Sequence, residues 1–473
     1  MIDKQKLYNT IDENAPEIIA LSDAIWEYAE LSMEEYKSAA YYCELLEKEG
    51  FTVERELCGI PTAFSGSFGS GSPRIGILGE FDALSGLSQV AGSTQKQSLI
   101  PGGNGHGCGH NLLGAGSFGA ALAIKEAIEA GALQGTVIFY GCPGEEGCAG
   151  KTFMARDGMF RDLDAALTWH PGSTNEVTVG SNAACMQVEY SFHGVASHAA
   201  GSPDKGRSAL DAAELMHVGV QFLREHMPPH SSVHYSITDG GGVSPNVVQA
   251  EAKTVFMVRS ETVRKAKELL HRVNNIAQGA ALMTDTQVTT RQIDGTASTV
   301  SNEALEQVMY ENMQQVPIPA YTQEELAFAQ ALHDTCPAAL PGTLSATNRD
   351  IRAFVEEKTD GGKRAMNDFI IPYVPSTMFT PGSTDVGDVS WLTPTAQFTT
   401  ATWVSGTPGH SWQNVSLGKT GIAYKGMLQA AKILAGAAAD LMESPALLEK
   451  IRKEFNKNAA EGYDCPIGKE VTF

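Results

Sequence analysis

The sequence predicts an α/β fold in which a larger domain, with a mainly parallel central sheet flanked by helices, is interrupted by a smaller α+β domain. Three observations predict it. Strand and helix patterns alternate up to residue 184, as in sheets with helices on both faces. Residues 185–297 follow the order β-α-β-β-α-β of the split ferredoxin-like motif. Helix and strand patterns return after residue 297, so 1–184 and 298–473 are predicted to form one discontinuous domain.

The elements of the first stretch follow from hydrophobic patterns. Residues 13–49 have helical periodicity and end at Gly50, a frequent helix terminator. The runs FTVERE, TAFSGSF and RIGILGEFDAL indicate strands, the third of them buried on both faces. A glycine-rich loop at 85–109 follows, and after it a helix of small residues, LLGAGSFGAALAIKEAIEAG. The next elements are the strand GTVIFYGCP, the turn and helix GEEGCAGKTFMARDGMF and the last strand AALTWHP.

The later elements are predicted in the same way. The segment CMQVEYSFH at 185–193 alternates apolar and polar residues, as a half-exposed strand does. Two helices, SALDAAELMHVGVQFLREH and ETVRKAKELLHRVNNIAQGAALM, separate the strands of the smaller domain. Residues 317–367 have weak periodicity and many turn residues, which we interpret as an irregular insertion. A helix of small residues is predicted near 418–441.

Charge and cysteine content exclude some classes of protein. The 473 residues include 55 Asp and Glu against 34 Lys and Arg, a formal net charge of −21, which argues against nucleic acid or an anionic membrane as partner. The sequence shows neither an uncharged apolar run of about 18 residues nor an export signal. The eight cysteines are scattered rather than arranged as a disulfide framework. These features predict a cytoplasmic protein with reduced thiols.

Four places along the chain could supply metal ligands, which must present lone pairs in a tight cluster, commonly at strand ends. They are the glycine-rich GNGHGCGHN, the turn GCPGEEGC, the strand end WHP and the late loop GTPGHSW. The candidate side chains in them are His106, Cys108, His110, Glu145, Glu146, His170 and His410. Because all four follow predicted strands of one sheet, together they favour a metal centre.

Plainer interpretations remain open at this point. A single histidine at a strand end is more often a hydrogen-bonded structural residue, and adjacent acids commonly begin a helix. Cys142 and Cys148 could join Cys108 in a structural zinc site, although a Cys-x₅-Cys pair is poor zinc spacing. The motifs G-x-S-x-G, H-E-x-x-H and G-x-x-x-x-G-K-[ST] do not occur, so nothing indicates a different nucleophile or a phosphate site.

Nine segments, in order, resemble the dimetal amidohydrolase family that includes aminoacylases, glutamate carboxypeptidase and the auxin-conjugate and hippurate hydrolases. They are AELSMEEYKSA, GEFDAL, GHGCGHN, PGEEG, WHP, GVASHAA, GGVSPNVVQA, GSTDVGDVSW and GTPGHS, and they cover nearly the whole chain. Residues 101–114, YGCPGEEG and 244–250 are most similar to the aminobenzoyl-glutamate hydrolases within that family. The resemblance implies a metal-dependent hydrolase of N-acyl amino acids with a free carboxylate, with p-aminobenzoyl-glutamate as the first expected substrate. Another N-acyl amino acid or a dipeptide is the alternative.

The resemblance also implies roles for the candidate residues. Glu145 would be the general base, and one or two divalent ions, zinc or manganese, would be bound by Cys108 as thiolate, His110, Glu146, His170 and His410. Peptidase members of the family carry His-x-Asp where this chain has Glu80-Phe81-Asp82. We therefore expect Asp82 and His106 to support the ligands rather than to bind metal.

In that family the inserted domain is a lid and a dimerisation surface. His198 would stabilise the tetrahedral oxyanion, Asn246 and Arg259 would hold the substrate carboxylate, and Arg207 is a weaker candidate for a second carboxylate. With the metal ions, the side chains of Arg259, Arg207 and His198 would make a positive pocket in an acidic protein. Without the resemblance, Asn246 would be an ordinary turn residue and Arg259 a surface cation. A homodimer through the lid is expected, with a heteromer containing a paralogous A subunit, or a subunit inactive without it, as the alternatives.

Overall fold

The structure is a computed structural model that describes residues 2–337, 339–343 and 347–473. The chain divides into two compact units. The first unit contains the residues up to Gly180, Val300–Met378 and Val389–Gly462. The second contains Ser181–Thr299, Phe379–Asp388 and Tyr463–Phe473, so it includes two segments from the later part of the chain.

The strands, in chain order, are β1 (Thr52–Arg55), β2 (Phe64–Ser70), β3 (Arg74–Glu80), β4 (Gly135–Cys142), β5 (Ala165–Gly172), β6 (Glu176–Val177), β7 (Ser181–Asn182), β8 (Ala184–His193), β9 (Ser232–Asp239), β10 (Glu251–Ser260), β11 (Gln287–Thr296), β12 (Phe379–Thr380) and β13 (Thr395–Ala401). The helices are α1 (Lys4–Glu13), α2 (Ala15–Tyr28), α3 (Tyr36–Lys48), α4 (His110–Glu129), α5 (Gly150–Arg156), α6 (Ala209–Arg224), α7 (Val263–Thr284), α8 (Glu303–Gln315), α9 (Gln323–His333), α10 (Arg349–Lys358), α11 (Val386–Ser390), α12 (Trp412–Leu417), α13 (Gly421–Glu443) and α14 (Pro445–Asn458).

The first unit is built on a seven-stranded sheet with the order β1-β2-β4-β3-β5-β13-β6. Its four central strands are parallel, because β3 pairs in parallel with β4 and β5, and β5 pairs in parallel with β13. The outer pairs β1–β2, β2–β4 and β13–β6 are antiparallel. The predicted α/β domain with a mainly parallel central sheet and packed helices is therefore confirmed.

The small residues of α4 let this helix approach β3 closely. A Cβ atom on Gly114 would lie 2.3 Å from the Tyr42 hydroxyl and 2.7 Å from the Glu80 carbonyl oxygen. Ser117 Oγ donates a hydrogen bond to the Leu78 carbonyl at 2.8 Å. The first residue of α4 is His110, so the same close packing brings that imidazole to the end of β3.

The second unit contains a four-stranded antiparallel sheet with the order β11-β8-β10-β9. Helices α6 and α7 pack on each other and on this sheet, with Phe192, Val220, Phe256 and Leu269 among the buried residues between them. The chain order β8-α6-β9-β10-α7-β11 is the predicted split ferredoxin-like motif.

Two predictions of secondary structure are wrong. The single helix expected over 13–49 is two helices, α2 and α3, because Ala29 after α2 adopts a left-handed conformation with φ 42°. The insertion 317–367 is not irregular throughout, because it contains α9 and α10. Thr322 and Glu325 form a capping box at the start of α9, a sequence signal for a helix that was overlooked. The prediction for residues 338 and 344–346 lies outside the described residues.

Among the helices formed by the described residues, none is both long enough and apolar enough to cross a membrane.

Candidate metal centre

The predicted metal ligands lie at the ends of the central strands of the first unit. Cys108 and His110 precede and begin α4, and Glu145 and Glu146 follow β4. His170 lies near the end of β5. His410 lies in the loop between β13 and α12. The carboxyl ends of parallel strands meet at one edge of a sheet, which is the usual position of a binding site in this architecture.

Among the described residues, three groups of side chains have ligand atoms that all lie within 4.8 Å of one another. Two of the groups share Cys108 and contain all five predicted ligands: Cys108 with His110 and His170, and Cys108 with Glu146 and His410. The third group consists of Glu80, His110 and Glu145. We call these residues together the ligand cluster. In this cluster the Cys108 thiol belongs to two sets of possible metal donors.

The distances within the ligand cluster fit a tetrahedral ion. Two donors bound about 2.0–2.3 Å from such an ion lie about 3.3–3.8 Å apart. Cys108 Sγ is 3.4 Å from His170 Nε2, and His410 Nε2 is 3.3 Å from Glu146 Oε2. His110 Nε2 is 3.2 Å from Glu80 Oε2. Each pair therefore has a separation suited to a divalent cation between its members.

Unsatisfied atoms in the ligand cluster also point to a cation. Within the described ranges, Glu80 Oε2, His110 Nε2 and Glu146 Oε1 are buried atoms that make no hydrogen bond. Native proteins seldom leave buried polar atoms unpaired, since each costs free energy. Divalent ions bound in the ligand cluster would supply the missing partners, so the residues present fit the metal that the sequence predicted.

Two hydrogen bonds orient the histidines. His170 Nδ1 donates to the Pro171 carbonyl at 2.8 Å, and His110 Nδ1 donates to Asp82 Oδ1 at 2.8 Å. In both rings Nδ1 is used by this hydrogen bond, so Nε2 faces the ligand cluster and can bind a cation once it carries no proton.

The electrostatic environment affects each of these groups differently. Burial and the neighbouring His110 lower the pKa of His170 to about 4, so its imidazole is neutral at pH 7. Loss of hydration raises the pKa of the Cys108 thiol. The thiol would therefore lose its proton only when a cation binds its sulfur. Burial alone would lower the pKa of His110, but Cys108 and Asp82 raise it well above its usual value.

Asp82 and His106, the two residues predicted to support the ligands, make different contacts. Asp82 accepts hydrogen bonds from His110, from Ser32 Oγ at 2.8 Å and from the Glu146 backbone N–H at 2.9 Å. His106 Nε2 instead donates to the Ile25 carbonyl at 2.9 Å, and it belongs to none of the three groups found in the described part of the chain. Its pKa is lowered to about 4 by burial and by His110.

Sequence reasoning missed Glu80 and Lys151. Glu80 is buried, and its second oxygen, Oε1, lies 2.7 Å from Lys151 Nζ, whose side chain has no exposed surface. Lys151 belongs to α5, which directly follows the Glu145–Glu146 turn. A lysine among the apolar residues GKTFMA was the available signal, because a buried lysine requires an acidic partner.

The remaining predicted residues lie in the second unit. His198 is exposed, and its Nδ1 accepts a hydrogen bond from the Gly201 N–H at 3.0 Å. Asn246 is exposed, and its carbonyl accepts from the Ala199 N–H at 3.0 Å. Arg207 is paired with Asp285 at 2.8 Å, so it is already engaged by an acid.

Arg259 lies beside a buried acid. Its Nε donates to Ser383 Oγ at 3.2 Å. Burial and the neighbouring Asp385 raise the pKa of Asp294 to about 7, while Arg259 opposes that rise. The Arg259 guanidinium is therefore restrained by Ser383, and its charge acts on a buried acid whose pKa is raised.

Comparison with known proteins agrees with this geometry. The model of peptidase family M20/M25/M40 matches residues 77–347, more than half of the chain. The chain belongs to this family. As a member of the M20 family it is a metallo-amidohydrolase, as its motifs predicted.

The similarity to individual relatives extends over almost the whole of this M20 family member. It is 43% identical over 481 residues to the B subunit of p-aminobenzoyl-glutamate hydrolase from Escherichia coli K12, with 99% of each chain covered. It is 30% identical over 467 residues to Xaa-Arg dipeptidase of Mus musculus, with 96% of this chain and 92% of that one covered. The solved structure of an aminobenzoyl-glutamate utilization protein from Klebsiella pneumoniae shares the fold with a TM-score of 0.59, 17% identity, and coverage of 92% and 98%.

Proposed function

We propose that the protein hydrolyses the amide bond of N-acyl amino acids with a free carboxylate, with p-aminobenzoyl-glutamate as substrate and p-aminobenzoate and glutamate as products. The observation that carries this proposal is the ligand cluster, in which two sets of donors share Cys108 and lie beside Glu145. The 43% identity to one subunit of a p-aminobenzoyl-glutamate hydrolase over the whole chain supports the choice of substrate.

The reaction can be assigned to residues of this chain. Divalent cations held by Cys108, His110, Glu146, His170 and His410 would polarise the amide carbonyl and make water more acidic. A carboxylate oxygen of Glu145 accepts a proton from the attacking water and delivers it to the leaving amide nitrogen as the C–N bond breaks. Glu145 suits this task because its side chain is 14% exposed and one oxygen lies 4.0 Å from His110 Nε2.

The donor set favours zinc over manganese. A thiolate and three imidazoles are soft or intermediate ligands, which zinc prefers, whereas manganese prefers oxygen donors. Glu80 adds a carboxylate to the same cluster, within reach of the donor His110. We propose two ions per subunit, because the two sets of donors that share Cys108 each contain three residues.

We assign to residues 185–297 the role of a lid. His198 would donate a hydrogen bond to the developing oxyanion, and Asn246 and Arg259 would hold the substrate carboxylate. Arg207 is a weaker candidate because it is paired with Asp285. The fixed guanidinium of Arg259 supports its assignment, since a bidentate contact to a carboxylate needs a defined orientation. These residues would give an acidic protein a local site for an anionic substrate.

A substrate panel tests this function. The purified protein loaded with Zn²⁺ or Mn²⁺ is expected to cleave p-aminobenzoyl-glutamate with the highest kcat/KM among that compound, hippurate, indoleacetyl-aspartate and dipeptides ending in arginine. Arg259→Ala should raise KM for these carboxylates about tenfold or more, since a charged hydrogen bond is worth about 1.5–3 kcal/mol. Lys37→Ala, which changes an exposed lysine, is the control for general charge effects.

Three outcomes of these measurements would contradict parts of the proposal. A preference for a dipeptide would indicate that the chain is a dipeptidase, as the name of its mouse relative states for that protein. Equal effects of Arg259→Ala and Lys37→Ala on KM would show that Arg259 does not hold the carboxylate. Activity that appears only after a paralogous chain is added would identify this chain as an incomplete part of a heteromer.

An apolar surface of the second unit supports a homodimer formed through the lid. β9 is an edge strand with open hydrogen-bonding groups, and Tyr235 and Ile237 on it are 38% and 52% exposed. The adjacent α6 exposes Val218 and Phe222, at 53% and 69%. Exposed apolar residues grouped on one face are typical of a protein interface.

Sedimentation equilibrium is expected to give a dimer at micromolar concentration, and Phe222→Glu is expected to give monomers. Phe473→Glu, which changes another exposed phenylalanine, is the control. A monomeric wild-type protein would contradict the homodimer.

We also propose a cytoplasmic location, which agrees with the absence of disulfides among the eight cysteines, all of them described.

A further inference from the structure

Two buried carboxylates hold the backbone of the turn that carries Glu145. Glu35 Oε1 accepts a hydrogen bond from the Gly144 N–H at 2.8 Å. Asp82 Oδ2 accepts one from the Glu146 N–H at 2.9 Å. The two carboxylates are 0% and 1% exposed. Glu145 therefore lies between two backbone N–H groups that each donate a hydrogen bond to a buried acidic side chain.

Glu35 belongs to the segment AELSMEEYKSA and directly precedes α3, but its side chain makes no capping hydrogen bond to that helix. Its other oxygen, Oε2, accepts a hydrogen bond from Thr62 Oγ1 at 2.9 Å. The carboxylate is thus turned inward and oriented by Thr62, with one oxygen left for the turn.

The same segment packs directly on the turn. Gly144 has φ 71°, a left-handed conformation that suits glycine, and a Cβ there would lie 3.1 Å from the Met33 side chain. A displaced turn would meet this neighbour, so the hydrogen bond from Gly144 to Glu35 and the contact with Met33 together define its position.

We propose that Glu35 is a positioning residue for catalysis, which fixes the Gly144 N–H and thereby directs the Glu145 side chain toward the reacting atoms. This inference rests on the role of Glu145 as general base. Asp82 cannot be assigned in the same way, because it also contacts His110. The hydrogen bonds of Glu35 reach the turn and Thr62 rather than a proposed metal ligand, so its effect on Glu145 can be measured separately.

A set of variants tests the inference with p-aminobenzoyl-glutamate as substrate. Glu35→Met keeps the length of the side chain but removes both acceptors. We expect it to lower kcat about 10- to 100-fold, since a small misplacement of a catalytic group costs up to about 10²-fold. KM and bound metal should stay within about twofold of wild type. Glu35→Gln should recover kcat to within about threefold, because its amide oxygen can still accept from Gly144.

A double-mutant cycle separates positioning from general stability. In a Glu145→Gln background, Glu35→Met is expected to cause no further loss of kcat, since residues that act through one group are not additive. Glu306→Met is the control, because Glu306 is a buried glutamate that contacts Tyr373 instead of the turn. It should leave kcat within about twofold of wild type. If Glu35→Met does not fold, Thr62→Val, which frees Glu35 Oε2, is expected to lower kcat severalfold with metal retained.

The outcomes distinguish this inference from the proposed function. If Glu145→Gln abolishes activity while Glu35→Met or a folded Thr62→Val leaves kcat unchanged, the positioning role is wrong and the function stands. If Glu35→Met loses metal in proportion to kcat, Glu35 supports Glu146 instead, and the inference is overturned. If Glu145→Gln keeps its kcat, Glu145 is not the general base and the premise of this inference fails, whereas the hydrolase function itself fails only if the substrate panel shows no cleavage.

Discussion

Replacing Glu145 with glutamine is expected to lower kcat by about 10²- to 10⁴-fold, the usual contribution of a positioned general base. The amide has nearly the shape of the carboxylate but cannot accept the proton from water or pass it to the leaving nitrogen. Glu145 is absent from the two sets of donors that share Cys108, so bound metal should remain. Steady-state kinetics and metal analysis of the same preparation measure both quantities.

Glu146→Gln is the matched comparison, because Glu146 is the adjacent acid and a proposed ligand. We expect it to lose metal as well as activity, which separates the roles of two neighbouring carboxylates. Glu129→Gln changes a glutamate that is 60% exposed and should behave as wild type. A Glu145→Gln protein with full metal and kcat within tenfold of wild type would exclude Glu145 as the base.

The proposed ligands could be selected from the sequence because their signals are local. Cys108, His110, Glu146, His170 and His410 each follow or end a strand pattern, and the carboxyl ends of parallel strands converge. The α/β fold and the ferredoxin-like order of the second unit follow from other local signals, namely the alternation and order of helix and strand patterns. Such arguments need no knowledge of distant contacts.

What the sequence could not predict depends on distant contacts. The burial of Lys151 depends on Glu80, about 70 residues earlier, and neither pattern alone indicates the pair. The C-terminal segment joins the second unit through Tyr463, whose hydroxyl donates to Asp388 Oδ1 at 2.7 Å, and through Asp464, paired with Lys267. Hydrophobic periodicity carries no information on such polar contacts, so the sequence predicts that Asp388, Tyr463 and Asp464 belong to the larger domain, whereas the structure groups them with the second unit.

Lys151→Met is expected to destabilise the metal-free protein by about 3–5 kcal/mol, the usual cost of removing one partner of a buried ion pair. Lys151 is fully buried, and Glu80 beside it is 3% exposed, so the remaining carboxylate would have no water to replace the ammonium. Denaturant unfolding of wild type and variant, both stripped of metal, measures the difference.

Two further proteins identify the cause of that loss. Lys151→Met combined with Glu80→Gln should regain most of the stability, because it removes the uncompensated charge together with its partner. Lys125→Met breaks the pair with the exposed Glu129 and should cost about 1 kcal/mol or less. If Lys151→Met costs no more than this control, the charge of Glu80 is not balanced by Lys151. If loading with Zn²⁺ reduces the loss in Lys151→Met, the cation must act on Glu80, which would make this carboxylate part of the metal site.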